Sequence, residues 1–140
     1  MNRDEVSAGI RQSLRPPLLL AAGNAVLSQL SGAGEGFGIF HLVLIAAMAW
    51  AGWRLNRELW GNHKLAAMAG PLVLVTGLLT AGLLHVLFAD FSAASAAVAG
   101  SWAEQWPRLA YLLGLSLSAL LVAPLATVIS LTGAVLAEYL

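Results

Sequence analysis

Three long segments that lack charged side chains constrain this chain more than any other feature. They cover residues 37–53, 65–88 and 109–136, and their only side chains that ionise near neutral pH are His41 and His85. The hydrocarbon core of a bilayer is about 30 Å thick, so an α-helix crosses it with about 20 apolar residues. Each of the three segments is therefore predicted to be a transmembrane helix.

The composition excludes most soluble classes. Of the 140 residues, 59% are hydrophobic and 10% are charged, whereas a soluble domain has about 25% charged residues. There is no cysteine, so disulfides and thiolate metal sites are excluded. Seven basic and seven acidic residues cancel, and we expect no nucleic-acid partner.

A fourth segment, residues 17–33, is less apolar because it contains Asn24, Ser28 and Gln29. The positive-inside rule favours a fourth span here. With four spans, six basic residues lie on the cytoplasmic side and one lies outside, whereas three spans divide them four to three. The six are Arg3, Arg11, Arg15, Arg54, Arg57 and Lys64, and the seventh is Arg108. The fold predicted is an all-α integral membrane protein, a bundle of four transmembrane helices with both termini cytoplasmic.

Aromatic side chains gather at both predicted boundaries, as amphipathic rings do at the headgroup level. The inner group is Trp50, Trp53 and Trp60, and the outer group is Phe88, Phe91, Trp102 and Trp106.

A cleaved signal peptide is the competing interpretation of the N-terminus, but Asn24 and Gln29 fit poorly in the apolar part of a signal peptide.

The chain divides into an N-terminal segment, residues 1–16, and a transmembrane domain, residues 17–140. In the N-terminal segment Val6, Ile10 and Leu14 are spaced by four. This spacing predicts an amphipathic helix on the cytoplasmic leaflet that ends at Pro16 and Pro17. A frayed tail is the alternative.

His41 and His85 are predicted at a similar depth near the outer boundary. An ionisable side chain inside a span is a functional hypothesis by default. The specific hypothesis is a b-type haem held by both histidines, or a metal ion bound with Glu35 or Asp90. The favoured interpretation is that both histidines are hydrogen-bonded at the interface and that the protein has no cofactor.

Two spans carry polar side chains on one face. Asn24, Ser28 and Ser31 follow helical spacing in the first, and Thr76 and Thr80 do so in the third. In lipid such groups form hydrogen bonds to other helices, which is the favoured interpretation. The alternative is that they line a polar path.

The last span contains a regular series of small residues, which we term the small-residue stripe. Its spacing alternates between three and four residues, so its members share one face of the helix. Small side chains allow two helix backbones to approach closely. The stripe consists of Ser116, Ala119, Ala123, Ala126, Ser130, Gly133 and Ala137.

These features favour a non-catalytic role. We expect a structural or accessory subunit of a homo-oligomer or of a larger membrane complex, in contact with the bilayer and with other subunits. The alternatives are a small oligomeric channel or transporter, and a haem- or metal-binding membrane anchor. The expected location is the cell's inner or plasma membrane, although viral and vesicle envelope proteins have similar compositions.

Overall fold

The computed structural model describes residues 2–31, 38–59, 61–88 and 102–140, without the side chains of residues 103 and 104. Within these ranges all regular secondary structure is α-helical. The aromatic residues Trp60 and Phe91 and the acidic residues Glu35 and Asp90 lie outside the described residues. The helices are α1 (Arg3–Leu30), α2 (Ile39–Glu58), α3 (His63–Phe88), the single turn α4 (Trp102–Gln105) and α5 (Pro107–Tyr139).

Three helices, α2, α3 and α5, are long and apolar enough to cross a membrane. The prediction of spans there is confirmed in length and composition, whereas α1 is not among them. Helix α2 extends five residues beyond the predicted end, because Arg54 and Arg57 end the apolar segment but are good helix formers. Hydrophobicity marks where a segment leaves an apolar environment, not where its helix stops.

Helices α2 and α3 form the centre of the bundle. They pack against each other, and each packs against both α1 and α5. Among the described residues, α1 and α5 share no extended contact, so they flank the central pair. The core between these helices is built largely from small and aliphatic side chains, including Ala21, Ala47, Met48, Ala51, Leu55, Ala69, Val73, Leu74 and Ala126.

Helix α1 continues through Pro16 and Pro17, so the predicted helix end at these prolines is wrong. A proline inside a helix removes one backbone N–H and normally costs about 3 kcal/mol. Two contacts offset this cost. Leu14 and Pro17 are buried in the bundle, and the Ser13 carbonyl, which Pro17 cannot serve, accepts a hydrogen bond from Arg54 of α2.

Short-range hydrogen bonds define the turn between α2 and α3. Gly61 has φ +76, a left-handed conformation that costs glycine little, and its N–H donates to the Asn56 carbonyl at 3.0 Å. Asn62 Oδ1 then accepts from the Leu65 N–H at 3.2 Å, which caps the start of α3. We call this part of the bundle the turn end; the N-terminus of α1 and the C-terminus of α5 lie there too.

Candidate functional site: the contacts of the last helix

The middle of the small-residue stripe lies against both central helices. Ala126 and Ser130 have no exposed surface, and Gly133 is buried as well. The backbones are so close that a Cβ atom added to Gly52 would overlap the Ser130 carbonyl, and one added to Gly70 would overlap the Ala126 carbonyl. A Cβ atom added to Gly133 would likewise overlap the Ala49 carbonyl. This half of the stripe is thus used for packing within the chain.

The N-terminal half of the stripe is more open. Ser116 is exposed, while Ala119 and Ala123 are half-buried. Together they line one wall of an apolar groove of about 470 Å³ between α3 and α5, whose opposite wall includes Pro71 and Val75. Ala137, the last member of the stripe, is half-buried near the turn end.

Prolines inside two helices leave carbonyls without their usual backbone donor, and in both cases a polar side chain of another helix lies close. Pro17 leaves the Ser13 carbonyl, to which Arg54 Nε donates at 3.0 Å. Pro71 cannot donate to the Ala67 carbonyl four residues earlier. Ser130 Oγ of α5 lies 3.4 Å from that carbonyl but only 3.1 Å from the Thr127 carbonyl of its own helix. Unpaired carbonyls away from water are costly, so the Arg54 hydrogen bond joins α1 to α2.

A polar cluster ties the C-terminus of α5 to the turn end. Asn56, only 4% exposed, donates from Nδ2 to the Ala134 carbonyl at 2.9 Å and to Glu138 Oε1 at 3.5 Å. His63 Nε2 lies 3.1 Å from the same carboxylate oxygen. Asn56 Oδ1 is buried and has no hydrogen-bond partner among the described residues. One carboxylate therefore connects the ends of α2, α3 and α5.

The predicted polar face of α1 is partly engaged with α2. Asn24 Nδ2 donates to the Phe40 carbonyl at 2.9 Å, and Asn24 and Ser28 line a pocket of about 140 Å³ between α1, α2 and α3. Ser31 Oγ donates to the Ser28 carbonyl of its own helix.

The threonines of α3 do not line that pocket. Thr76 Oγ1 donates to the Leu72 carbonyl and Thr80 Oγ1 to the Thr76 carbonyl, both at 2.8 Å. The two polar sets thus do not form one surface. The threonine hydroxyls are used inside their own helix, as Ser and Thr hydroxyls often are.

The structure places the two histidines in different environments. His41 is exposed, lines the same 140 Å³ pocket, and accepts from the Gly38 N–H through Nδ1 at 3.2 Å. The ring of His85 packs against that of Tyr111 of α5, with centroids 4.5 Å apart and a tilt of 31° between the ring planes. Among the described residues no group of three or more His, Asp or Glu is placed to hold a metal ion. The proposed further ligands Glu35 and Asp90 lie outside the described residues.

Comparison of the chain with protein-family models, with curated proteins and with solved structures found no match.

The helix partners of the small-residue stripe were not predicted from the sequence. Gly52 and Gly70 are small residues in apolar helices, which is the signal of a close crossing. The role of Asn56 was not predicted either, and its signal is an amide in the last turn of an apolar helix. No local signal pairs Arg54 with Ser13, which lie 41 residues apart in the chain.

Proposed function

We propose that the chain is an integral membrane protein with four transmembrane helices and cytoplasmic termini. It acts as a non-catalytic structural or accessory subunit, in a homo-oligomer or a larger membrane complex of the cell's inner or plasma membrane. The observation that carries this proposal is the exposed apolar surface of α5.

Helix α5 is the most apolar of the three candidate spans and the least covered. Only 6% of its most apolar stretch is buried, compared with 33% in α2. Contiguous apolar surface of this extent requires lipid or a protein partner. The exposed side chains include Leu109, Leu113, Leu117, Leu120, Leu121, Leu125 and Val128.

The packing of α1 supports a fourth span. Its apolar side chains Leu14, Ala21 and Ala25 are buried against helices that are themselves long enough to cross. Because the buried positions of α1 lie between Ser13 and Ala25, it is this part of the helix that would cross with its neighbours. The basic residues Arg54, Arg57 and Lys64 are adjacent to the α2–α3 turn, which supports a cytoplasmic turn end.

The interhelical polar contacts support a structural role. Asn24, Arg54 and Asn56 each donate to a backbone carbonyl of another helix. Such bonds hold helices in register.

Single-cysteine crosslinking in native membranes tests the proposal, since the chain has no cysteine of its own. Leu121→Cys places a thiol on the exposed face of α5, and Ala126→Cys places one in the buried crossing. We expect oxidation to link Leu121→Cys to a second copy or to a cysteine-bearing subunit, and to leave Ala126→Cys unlinked. A monomeric mass in mild detergent, together with no crosslink from any exposed position of α5, would contradict a subunit role.

A small oligomeric channel or transporter is the second candidate. It is favoured by the pocket that Asn24, Ser28 and His41 line between three helices. Solute flux into proteoliposomes tests it: Asn24→Leu, which removes a polar wall, should abolish flux, and Thr132→Val on the exposed face of α5 should not.

A further inference from the structure

Four side chains near the end of α2 form one surface, which we call the Trp–Arg face. Trp50, Trp53, Arg54 and Arg57 follow the spacing i, i+3, i+4 and i+7, so they share one side of the helix. The other side of α2 is buried in the bundle. Trp50 is 37% exposed, Arg57 is exposed, and Trp53 and Arg54 are half-buried. The face therefore points outward along the edge of the bundle.

Each arginine is positioned by a tryptophan one turn earlier. The guanidinium carbon of Arg57 lies 4.8 Å from the centroid of the Trp53 ring, and that of Arg54 lies 5.8 Å from the Trp50 ring. These distances are typical of cation–π contacts. Arg54 is also held through Nε by the Ser13 carbonyl, which leaves its two terminal amino groups available.

Neither arginine is neutralised by a carboxylate within the described ranges. The ion pair found there joins His63 to Glu138, and Glu58, adjacent to Arg57 in sequence, does not pair with it. The exposed Arg57 and the terminal amino groups of the half-buried Arg54 therefore lie on one face as N–H donors for an acceptor outside the bundle. Such forks match the oxygen atoms of a phosphate group.

We propose that the Trp–Arg face binds the phosphate group of an anionic phospholipid of the cytoplasmic leaflet. The inference rests on the proposed membrane insertion. Three observations favour a lipid over a free anion. The face lies where an apolar helix ends, indole rings prefer the headgroup level, and the exposed surface of α2 continues from Trp50 toward the exposed Leu42, along which an acyl chain can lie.

The test measures lipid affinity by native mass spectrometry of the full-length protein in detergent, with phosphatidylglycerol and phosphatidylcholine as probes. We expect Arg57→Gln to weaken phosphatidylglycerol binding about fivefold, since one basic residue near an anionic surface contributes about that factor. Phosphatidylcholine binding should not change. Arg57→Lys keeps the charge without the planar fork, so it should recover only part of the loss. Trp53→Leu should also weaken binding, through the loss of stacking.

The matched control is Arg11→Gln/Arg15→Gln, which removes exposed charge from α1 at the same end of the bundle. An equal loss of affinity per arginine in this control would overturn the inference, because it would indicate general attraction to negative charge. Competition by inorganic phosphate would also overturn it, in favour of a free-anion site.

Alkaline extraction of membranes separates this inference from the proposed function. If the wild-type chain is released by alkali, membrane insertion fails and the lipid site fails with it. If the chain stays in the membrane and shows no preference for phosphatidylglycerol, the lipid site alone is wrong.

Discussion

At the scale of single residues, the most informative contact joins Arg54 to the Ser13 carbonyl that Pro17 leaves without a donor. A hydrogen bond from a charged donor is worth about 1.5–3 kcal/mol, and its loss is greatest where the acceptor has no substitute partner. The contribution of Arg54 to the free energy of unfolding therefore depends on the presence of Pro17. This dependence can be measured.

We predict that Arg54→Met lowers the free energy of unfolding by more in the wild-type chain than in a Pro17→Ala background. The alanine introduced by that substitution would supply the missing N–H to the Ser13 carbonyl, which then no longer depends on arginine. The expected coupling is about 1 kcal/mol, measured by denaturation with sodium dodecyl sulfate in mixed micelles.

The control cycle for this prediction pairs Arg57→Met with Pro17→Ala. Arg57 stacks on Trp53 and has no described hydrogen bond to α1, so its effect should be the same in both backgrounds. Equal effects of Arg54→Met with and without Pro17 would show that the carbonyl contact contributes nothing.

At the scale of the elements, small residues on three helices set the distances between them. Helix α5 crosses α2 at Gly52 and α3 at Gly70, where its own carbonyl groups occupy the space that a Cβ would need. Helix backbones cannot be moved apart as cheaply as the end of a flexible side chain. By contrast, a Cβ atom added to Gly114 or Gly23 would have no neighbouring atom within 4 Å.

We predict that Gly52→Ala and Gly70→Ala each lower the free energy of unfolding by about 1–3 kcal/mol, the usual cost of overpacking. Gly114→Ala, with open space around the new methyl group, should be neutral or stabilising by up to about 1 kcal/mol because alanine favours a helix. The measurement is the same denaturation assay. A similar effect at all three glycines would argue against close crossings.

The small-residue stripe itself gives a second prediction at this scale. Ala126→Leu inserts a branched side chain at a position with no exposed surface and should destabilise the protein by about 1–3 kcal/mol or more. Leu125→Ala, at a side chain that is 59% exposed, should cost far less. Thermal unfolding in detergent compares the two, and equal costs would mean that the stripe is an accident of composition.

At the scale of the whole molecule, the arrangement of helices and the distribution of charge support the same orientation. The turn between α2 and α3 has Arg57 and Lys64 on either side, and the contacts of Asn56 and Glu138 bring the C-terminus of α5 to the same end. Four antiparallel spans would place the N-terminus there as well.

We predict that reporter fusions at Gly61 score as cytoplasmic and that fusions at Ser95 score as external. The reason is that α3 separates the two positions and basic residues remain on the cytoplasmic side. Paired reporters, one active on each side of the membrane, provide the measurement. If fusions at Gly61 and Ser95 report from the same side, α3 does not cross the membrane and the predicted topology is wrong.

The sequence by itself determined the helical class and the approximate extent of α2, α3 and α5. This was possible because the length of an apolar segment is a local property, and because a helix satisfies its backbone hydrogen bonds within the segment. Local sequence also identified the small residues of α5. It misjudged the end of a helix at Pro16 and Pro17, since the local rule for proline ignores donors from elsewhere in the chain.

The tertiary structure alone decided which helices are neighbours and what each polar side chain bonds. It paired Arg54 with Ser13 and Asn56 with Ala134. It also divided the small-residue stripe into a half buried against α2 and α3 and a half that lines an open groove. These outcomes depend on groups that are far apart in the chain, and the free energy of their contacts exists only once the helices have packed.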